Sequence, residues 1–462
     1  MLDDSVLDSL VCILGEENVL SDPYNLDRYS SDALNPFRAF AAEGAFDRLT
    51  DVVVRPGSTE EVAQLVVFAN EHRIPVIPFG AGTGVMGGVL PVQGGMTVDL
   101  QRLNRILEVN PQDMTAVVEP GVVLQDLVDM LKESGLMPGH DPYSVPIATV
   151  AGAISTNGVG YRASAFGSMG DQVVSVEVVL PTGHLLATKQ VPKYAAGPNL
   201  NHLFIGTEGV FGIITKATIK VFRIPEAQEF ATVSFESFDQ GFEAAAELTA
   251  LGIRPTLTDL TEEDEHVRLH LVFEGYREGV AAQLQRSMQV CTELGGRDIG
   301  TGPSMDYWLG RHQSGENYKE NALGRPREVR WIRQQGSRFD YLHMALPISR
   351  VLEYRRRCQV IMAGTGVRVV EYSIWSRPEL FSMMLVADPA DNDEFRNTLG
   401  NVVDQILTLA QDMGGTMEYC HGIGVKLNHL AAREMGLGQD VVRLLKNALD
   451  PANVMNPGKL GL

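Results

Sequence analysis

The amino-acid sequence predicts an α+β fold, because strand-like and helix-like segments are mixed along the chain rather than strictly alternating. In residues 46–225, short strand-like runs such as DVVVRPG and TAVVEPG lie between amphipathic helices such as STEEVAQLVVFANEH. In residues 226–415, runs such as FATVSFESF and VRLHLVFEG are separated by longer amphipathic helices. This second pattern predicts an antiparallel sheet with helices on one face.

The change in pattern after Pro225 predicts a boundary between two domains. We predict an N-terminal lead over residues 1–45, a first domain over 46–225, a second domain over 226–415 and a C-terminal segment over 416–462. In the first domain, Ser58 and Glu61 have the spacing of a helix capping box. The polar stretch from residue 300 to 340 is predicted to be irregular and to lie at a surface or cleft.

Composition excludes several classes of function. The formal net charge of −20 is spread along the chain, which argues against binding to nucleic acid or to anionic membranes. No apolar run approaches the length of a membrane span, and the N-terminus MLDDSVLDSL lacks the basic start of a signal peptide, so a cytoplasmic location is predicted. The four cysteines lack metal-site spacing. The oligomeric state is not readable, and a homodimer is one option.

The stretch IPVIPFGAGTGVMGG is a predicted strand that runs into a glycine-rich loop. Gly82, Gly84 and Gly87 have the spacing of the dinucleotide-binding fingerprint. A Rossmann loop would continue into a helix that holds the pyrophosphate, but GVLPVQGGMTVDL contains Pro91 and further glycines that disfavour a helix. The loop is therefore predicted either as a nest of backbone N–H groups for phosphate, with the Thr83 hydroxyl nearby, or as a turn without a ligand.

Two later segments rich in small residues favour the ligand. VAGAISTNGVG and IGTEGVFGI both allow close approach of the backbone, as the glycine loop does. Three such segments in one domain predict one large ligand that extends through the domain.

The order of these segments resembles the vanillyl-alcohol oxidase/p-cresol methylhydroxylase superfamily. PFGAGTGVMGG, DPYSVPIATVAGAISTNGVG, VVSVEVVLPTG, GTEGVFGIITKA and the terminal LDPANVMNPGKL follow one another as in that family, over nearly the whole chain. The resemblance implies a two-part FAD-binding domain of the p-cresol methylhydroxylase type over 46–225, a substrate or cap domain of the FAD-linked oxidase C-terminal type over 226–415, and a C-terminal segment that returns to the flavin.

The resemblance also implies FAD as the cofactor. Because the glycine loop contains neither His nor Cys, the FAD is predicted to be bound non-covalently. The residues that the resemblance places around FAD are Pro78, Gly80, Ala81, Gly82, Thr83, Gly84, Gly87, Asp141, Pro142, Ser144, Gly152, Ser155, Asn157, Gly158, Gly160, Tyr161, Glu208, Gly209, Gly212, Ile213, Asn456 and Lys459.

Two branches of the family compete for the activity. The D-2-hydroxy acid dehydrogenases, which act on D-lactate, glycolate or D-2-hydroxyglutarate, usually carry H-x-G-D-G-N-x-H and E-H-G-x-G as substrate and metal motifs. Here the first corresponds to VVEYSIWSRPELF, without histidine, and the second begins with Cys420 in place of Glu. One Cys and one His are too few for a metal site, so no metal is predicted. The main hypothesis is an FAD-dependent oxidoreductase that acts on a small 2-hydroxy acid.

The other branch is alkyldihydroxyacetonephosphate synthase, which LKESGLMPGHDPYS and MALPISRV resemble. Its histidine cluster would fall on Tyr419 to His421 and keeps only the last histidine, and its tyrosine would fall near Phe381 or Ser382. A synthase-like transferase is therefore the alternative. A third hypothesis is a flavin subunit that has lost catalysis and works inside a complex.

Oxidation of an alcohol beside a carboxylate needs a base and a cation. His421 is the candidate base, and Tyr419 is a candidate assistant. The candidate anchors for an anionic substrate are Arg330, Arg333, Arg377 and Lys426. Because the chain has no iron–sulfur motif, the electron acceptor is left open.

Overall fold

Three β-sheets organise the chain in the computed structural model, which describes residues 2–36, 38–39, 46–330, 338–387 and 393–462. The helices are α1 (Asp4–Leu14), α2 (Pro23–Arg28), α3 (Thr59–His72), α4 (Leu124–Lys132), α5 (Val150–Thr156), α6 (Ala163–Phe166), α7 (Met169–Gln172), α8 (Phe238–Ala250), α9 (Arg277–Glu293), α10 (Gly302–Gly310), α11 (Gln313–Asn321), α12 (Arg327–Arg330), α13 (Ile348–Met362), α14 (Asp393–Asp412), α15 (Ala431–Met435) and α16 (Leu437–Leu449). The strands are β1 (Val19–Leu20), β2 (Val52–Val54), β3 (Val76–Phe79), β4 (Met96–Asp99), β5 (Ile106–Asn110), β6 (Thr115–Val118), β7 (Leu136–Pro138), β8 (Val173–Val179), β9 (Leu185–Ala187), β10 (Ile213–Arg223), β11 (Ala227–Phe235), β12 (Leu257–Glu263), β13 (His266–Gly275), β14 (Arg297–Asp298), β15 (Arg338–Ala345), β16 (Val367–Trp375) and β17 (Leu380–Ala387).

The first sheet presents the glycine loop. Its strand order is β1-β2-β4-β3, with β2, β4 and β3 parallel, and β2 and β4 are fully buried, as expected for parallel strands. Helix α3 begins after Ser58, whose Oγ accepts from the Glu61 N–H at 3.1 Å. The Glu61 carboxylate accepts from the N–H of Gly57 at 2.6 Å, one residue earlier than the predicted capping box requires. Strand β3 ends at Phe79, directly before the loop.

The second sheet is antiparallel and has β10 at its centre. Its order is β5-β6-β10-β8-β9, and β7 pairs with the far end of the eleven-residue strand β10. Helix α5 packs on β10 through apolar residues such as Val150 and Ile154. Because both sheets lie within residues 46–225, apart from β1, the predicted two-part α+β arrangement is confirmed.

The third sheet has seven antiparallel strands in the order β14-β11-β13-β12-β16-β17-β15. Helices α8, α9, α13 and α14 bury one hydrophobic core against it, with Phe238, Tyr354 and Phe381 at its centre. This confirms the prediction of helices on one face for the four long helices. On another part of the sheet, Leu257 and Val272 pack against Trp308 of α10.

The stretch predicted as irregular, residues 300–340, contains three helices. All three helices are short, and α11 and α12 are mostly polar, so they lack the long apolar stripe by which a helix is predicted. Helix α10 packs on β11 and β13 of the third sheet, whereas the residues that follow it contact the first domain. We call residues 311–330 the bridging segment. Arg311 and His312 bind the buried Asp141 at 3.0 and 2.7 Å, and Tyr318 donates to the Gly82 carbonyl at 3.4 Å.

Buried Lys446 fixes the C-terminal segment to the first domain and forms an ion pair within its own segment. Lys446 of α16 donates to the Asp450 carboxylate and to the carbonyls of Val210 and Met455, the latter two at 3.0 and 2.7 Å. Asp450 also accepts from the backbone N–H groups of Val454 and Met455. Within the described residues, every helix is too short or too polar to cross a lipid bilayer.

Removing the Asp450 carboxylate should destabilise the fold. We expect Asp450→Ala to lower the free energy of unfolding by about 3 kcal/mol, because Lys446 would remain buried without its counter-charge. Urea unfolding followed by circular dichroism measures this. Asp440→Ala is the matched control, since Asp440 lies on the same helix in an exposed pair with Arg443 and should change stability little. Equal unfolding midpoints for the two variants would contradict the role of the buried pair.

Candidate functional site

A cavity of about 500 Å³ opens where the glycine loop, helix α5 and the third sheet meet. Most of the residues predicted to surround FAD line it: Pro78, Gly80, Ala81, Gly82, Thr83, Gly84, Pro142, Ser144, Gly152, Ser155, Gly158, Gly160, Tyr161, Glu208, Gly209, Gly212 and Ile213. The three small-residue segments therefore meet at one cavity, as a single large ligand requires.

The glycine loop forms one wall and has little room for side chains. A Cβ on Gly80 would lie 2.5 Å from Thr149 Oγ1, and Gly82 has a φ of 66° that favours glycine. The hydroxyls of Tyr143 and Tyr318 donate to the carbonyls of Thr83 and Gly82, each at 3.4 Å. Two loop carbonyls are thus engaged by tyrosines. Because the loop carries few side chains, a diphosphate can approach its backbone N–H groups closely, and the Thr83 hydroxyl adds a donor.

Glu208 lies where the third small-residue segment meets the C-terminal loop. Its carboxylate accepts from the Gly424 N–H at 3.0 and 3.1 Å. Burial raises the pKa of Glu208 to about 7, although Lys459 and the Gly424 N–H act in the opposite direction. The next residue, Gly209, has a φ of 76°, and a Cβ there would lie 2.8 Å from Pro78 Cγ. The segment therefore needs glycine to pack against the loop.

Five of the residues predicted to surround FAD do not line the cavity. They are Gly87, Asp141, Asn157, Asn456 and Lys459. Gly87 N–H donates to Asp32 Oδ2 at 3.0 Å, and Asn157 Oδ1 accepts from Gly170 N–H at 2.9 Å. Both hydrogen bonds fix loops behind the cavity wall.

Asn456 and Lys459 also act behind the wall. Asn456 Nδ2 donates to the carbonyls of Gly88 and Glu208 at 3.0 and 2.6 Å. Lys459 Nζ is fully buried and donates to the Leu90 carbonyl at 2.8 Å. The tail therefore returns to the predicted flavin domain and holds two of its segments together.

At the other end of the cavity, His421 lies beside a second histidine that the sequence analysis missed. The ring centroids of His343 and His421 are 4.6 Å apart. Tyr341 and Trp375 also line this end and lie with their ring centroids 4.5 and 5.6 Å from that of His343. His343 comes from β15, so a rigid strand positions it.

His343 is buried and held through one ring nitrogen. Its Nδ1 lies 2.8 Å from Ser382 Oγ on the neighbouring strand β17, and Ser382 Oγ lies 2.9 Å from Tyr419 Oη. Tyr419 itself does not line the cavity. Burial, and then the positive charges of His421, Arg38 and Lys426, hold the pKa of His343 well below 6.5. The ring is therefore neutral at neutral pH.

His421 is held in the opposite state. Burial acts to lower its pKa, but Cys420 and Glu418 outweigh burial and raise the pKa above its ordinary value. Glu418 Oε1 lies 3.6 Å from His421 Nδ1 and also accepts from the N–H groups of Cys420 and His421 at 2.7 and 3.0 Å. Two adjacent histidines with pKa values shifted in opposite directions are an arrangement suited to acid–base chemistry.

The predicted anion anchors that the structure describes, Arg330, Arg377 and Lys426, do not line the cavity. Arg330 donates to Ser31 Oγ and the Asp32 carbonyl at 2.8 and 3.0 Å. Arg377 is about half exposed, 3.7 Å from Glu379. Arg333 falls outside the described residues.

The fourth candidate, Lys426, is buried and pairs with Asp340 at 2.9 Å. Asp340 also binds Arg38, whose Nε donates to Oδ1 at 2.8 Å. Arg38 lines the cavity. Two cations thus share one buried carboxylate. No sequence motif identified Arg38 or His343, since each acquires its place only through contacts between distant segments.

Among the described residues, no group of three or more His, Cys, Asp or Glu side chains is arranged to hold a metal ion. That the site binds no metal ion stays a prediction. The part of the chain that the structure describes offers FAD a glycine loop, hydroxyls of Thr83, Ser144 and Ser155, and a cavity that extends to the two histidines. These residues fit the predicted cofactor.

Comparison with known proteins identifies two families over most of the chain. Residues 50–189 match the FAD binding domain, and residues 224–460 match the C-terminal domain of FAD linked oxidases. The probable mitochondrial D-lactate dehydrogenase of Danio rerio is 30% identical over 443 residues, which cover 89% of this chain and 84% of that protein. The glycolate oxidase subunit GlcD of Bacillus subtilis (strain 168) is 26% identical over 480 residues, covering 100% of this chain and 97% of that protein.

A crystal structure of alkyldihydroxyacetonephosphate synthase shares the fold. It has a TM-score of 0.79 and 18% sequence identity, and the match covers 99% of this chain and 86% of the synthase. At that identity the likeness concerns the fold alone.

A side chain on the glycine loop should weaken FAD binding. We expect Gly80→Ala to raise the dissociation constant for FAD by about tenfold, because its Cβ would force Thr149 to move. Titration of the apoprotein with FAD, followed by flavin fluorescence, measures it. Gly310→Ala is the control, since a Cβ at Gly310 would meet open space. An unchanged dissociation constant for Gly80→Ala would show that the loop is not part of the FAD-binding site.

Proposed function

The chain belongs to the family of FAD-linked oxidases, and we propose that it oxidises a small 2-hydroxy acid to the 2-oxo acid. The chain is an FAD-linked oxidoreductase of the D-lactate and glycolate dehydrogenase type. The observation that carries the proposal is the pair of His343 and His421, whose ring centroids lie 4.6 Å apart at the same end of the cavity.

His343 is the proposed base. Oxidation of the alcohol removes one proton from the hydroxyl, and a second proton together with the C–H electron pair from the carbon that bears it. Bound FAD supplies the acceptor for that hydrogen and the electron pair. His343 can take the hydroxyl proton, because its low pKa keeps the ring neutral and Nδ1 is already engaged by Ser382. This reassigns the role that the sequence analysis gave to His421.

His421 and Arg38 are the proposed anion site. Cys420 and then Glu418 raise the pKa of His421 and favour its charged form. Arg38 and Lys426 both pair with the carboxylate of Asp340. A substrate carboxylate would meet positive charge at this wall, which favours binding and places the hydroxyl of a 2-hydroxy acid near His343. The proposed site therefore uses fixed protein cations where related dehydrogenases were expected to use a metal.

The relatives support this substrate class. Their names describe a probable D-lactate dehydrogenase and a glycolate oxidase subunit. Among the comparisons reported above, the synthase-like alternative has support from the fold alone. The name of GlcD as a subunit supports the further proposal that a partner protein receives the electrons. The predicted cytoplasmic location stays a prediction, since the Danio rerio relative is named as mitochondrial.

Anaerobic mixing of the FAD-loaded protein with candidate acids tests the proposal. We expect D-lactate, glycolate or D-2-hydroxyglutarate to bleach the flavin absorbance, because the site provides both base and anion anchor. L-Lactate and propionate are controls for stereochemistry and for the hydroxyl group. If dithionite bleaches the flavin and none of the hydroxy acids does, the proposal fails. Exchange of the acyl group of an acyl-dihydroxyacetone phosphate would then favour the transferase.

The rate of flavin reduction should depend on pH in two steps. It should rise with pH below 6.5, as His343 loses its proton, and fall at alkaline pH, as His421 loses its own, because the two pKa values are shifted in opposite directions. Stopped-flow absorbance across the pH range measures both limbs. His421→Gln should abolish the alkaline limb. A rate that climbs steadily above pH 6.5 would instead identify His421 as the base.

A further inference from the structure

We propose that Ser382 and Tyr419 are positioning residues that keep the proton of neutral His343 on Nδ1 and leave Nε2 free to accept the substrate proton. This inference rests on the proposed function, since it concerns the base of that reaction. It assigns a role to a serine that no motif identifies and to a tyrosine that lies behind the cavity wall.

The three side chains form one continuous hydrogen-bonded chain. His343 and Ser382 are register partners on the adjacent strands β15 and β17. Ser382 is fully buried, so its hydroxyl cannot exchange this partner for water. The third member, Tyr419, is fixed by its own backbone, because its N–H donates to the carbonyl of His343 at 3.1 Å. Strand pairing and this backbone hydrogen bond therefore keep the three side chains next to one another.

The direction in which this chain of hydrogen bonds runs decides which ring nitrogen carries the proton. A neutral imidazole has one N–H and one acceptor nitrogen. When Nδ1 donates to Ser382 Oγ, the serine hydroxyl donates onward to Tyr419 Oη, and Nε2 keeps its lone pair. When the order is reversed, Nδ1 accepts from Ser382 and Nε2 carries the proton, so the ring cannot act as a base at Nε2.

The donor arrangement serves both states of a base. Before the reaction, Nδ1–H donates to Ser382, and after Nε2 has taken the substrate proton, Nδ1–H still donates to Ser382. The hydrogen-bond chain therefore needs no rearrangement during proton transfer. The proton balance closes at His343, which gains the hydroxyl proton and becomes an imidazolium.

The charged and titratable neighbours of His343 do not supply this selection. His421, Arg38 and Lys426 are cations that oppose a positive charge on the His343 ring. The remaining ring contacts are aromatic, from Tyr341 and Trp375. Within the described part of the chain, Ser382 is the hydrogen-bond partner of the His343 ring, so the choice of tautomer depends on it.

The tautomer can be measured without any substrate. We expect the ¹⁵N chemical shifts of FAD-loaded protein labelled with ¹⁵N-histidine to show His343 protonated on Nδ1, with assignment by comparison with His343→Gln. Ser382→Ala should shift the population toward Nε2–H. Ser373→Ala is the matched control, because Ser373 is the register partner of Ser382 on β16 and hydrogen-bonds to Glu371 instead.

Kinetics give the second readout. With an acid that bleaches the flavin, Ser382→Ala should lower kcat by about tenfold with little change in KM, and should displace the acidic limb of the pH profile. Ser382→Thr, which keeps the hydroxyl and suits a strand, should restore both. Tyr419→Phe should give a smaller loss, because it removes only the outer member of the chain. FAD content measured for each variant identifies any that fail to fold.

The outcomes separate this inference from the function on which it rests. If no hydroxy acid bleaches the flavin, the proposed function fails, while the ¹⁵N shifts still decide the tautomer. Nε2–H in the wild-type protein, or unchanged shifts and pH profile in Ser382→Ala, would overturn the role of Ser382 and Tyr419.

Discussion

The buried carboxylate of Glu208 is the contact on which the site depends. The carboxylate joins a segment of the flavin-binding domain to the C-terminal loop, because it accepts from the N–H of Gly424. The backbone carbonyl of Glu208 accepts from the side chain of Asn456. Glu208 has a φ of 51°, a left-handed conformation that is unfavourable for a residue with a side chain. The hydrogen bonds around it offset that strain. This junction holds His421 at the same cavity as the glycine loop, together with the hydrogen bond from the Lys426 N–H to the Met86 carbonyl at 3.2 Å.

The two histidines show how burial and charge divide roles between identical side chains. His343 lies in a strand among aromatic rings and cations, so the environment opposes its protonation. His421 lies three residues after Glu418, whose carboxylate favours protonation. The same physical rule, that a buried charge needs a counter-charge, produces opposite states 4.6 Å apart. A metal ion would compete with both states, and Arg38 and Lys426 already supply positive charge at this wall.

The sequence was sufficient for features that depend on local order. Local sequence predicts the glycine loop, the small-residue segments and the long amphipathic helices. Glycine spacing and apolar periodicity depend only on residues that are near one another in the sequence. His421 was found by its motif. Arg38 and His343 were not, because their roles arise from contacts with residues 302 and 39 positions away. The helices of the bridging segment were missed for a related reason, since their stability comes from partners such as Asp141 rather than from their own pattern.

The bridging segment also determines whether the flavin-binding domain has a complete cofactor site by itself. Ser314 lines the cavity, and Tyr318 donates to the glycine loop, although both belong to the other domain. Part of the cofactor's wall is thus contributed by residues more than 200 positions away from the loop. The flavin-binding domain is therefore not a portable module. In a fusion protein that contains this domain alone, the glycine loop would be present, but the residues of the bridging segment that complete the site would be missing.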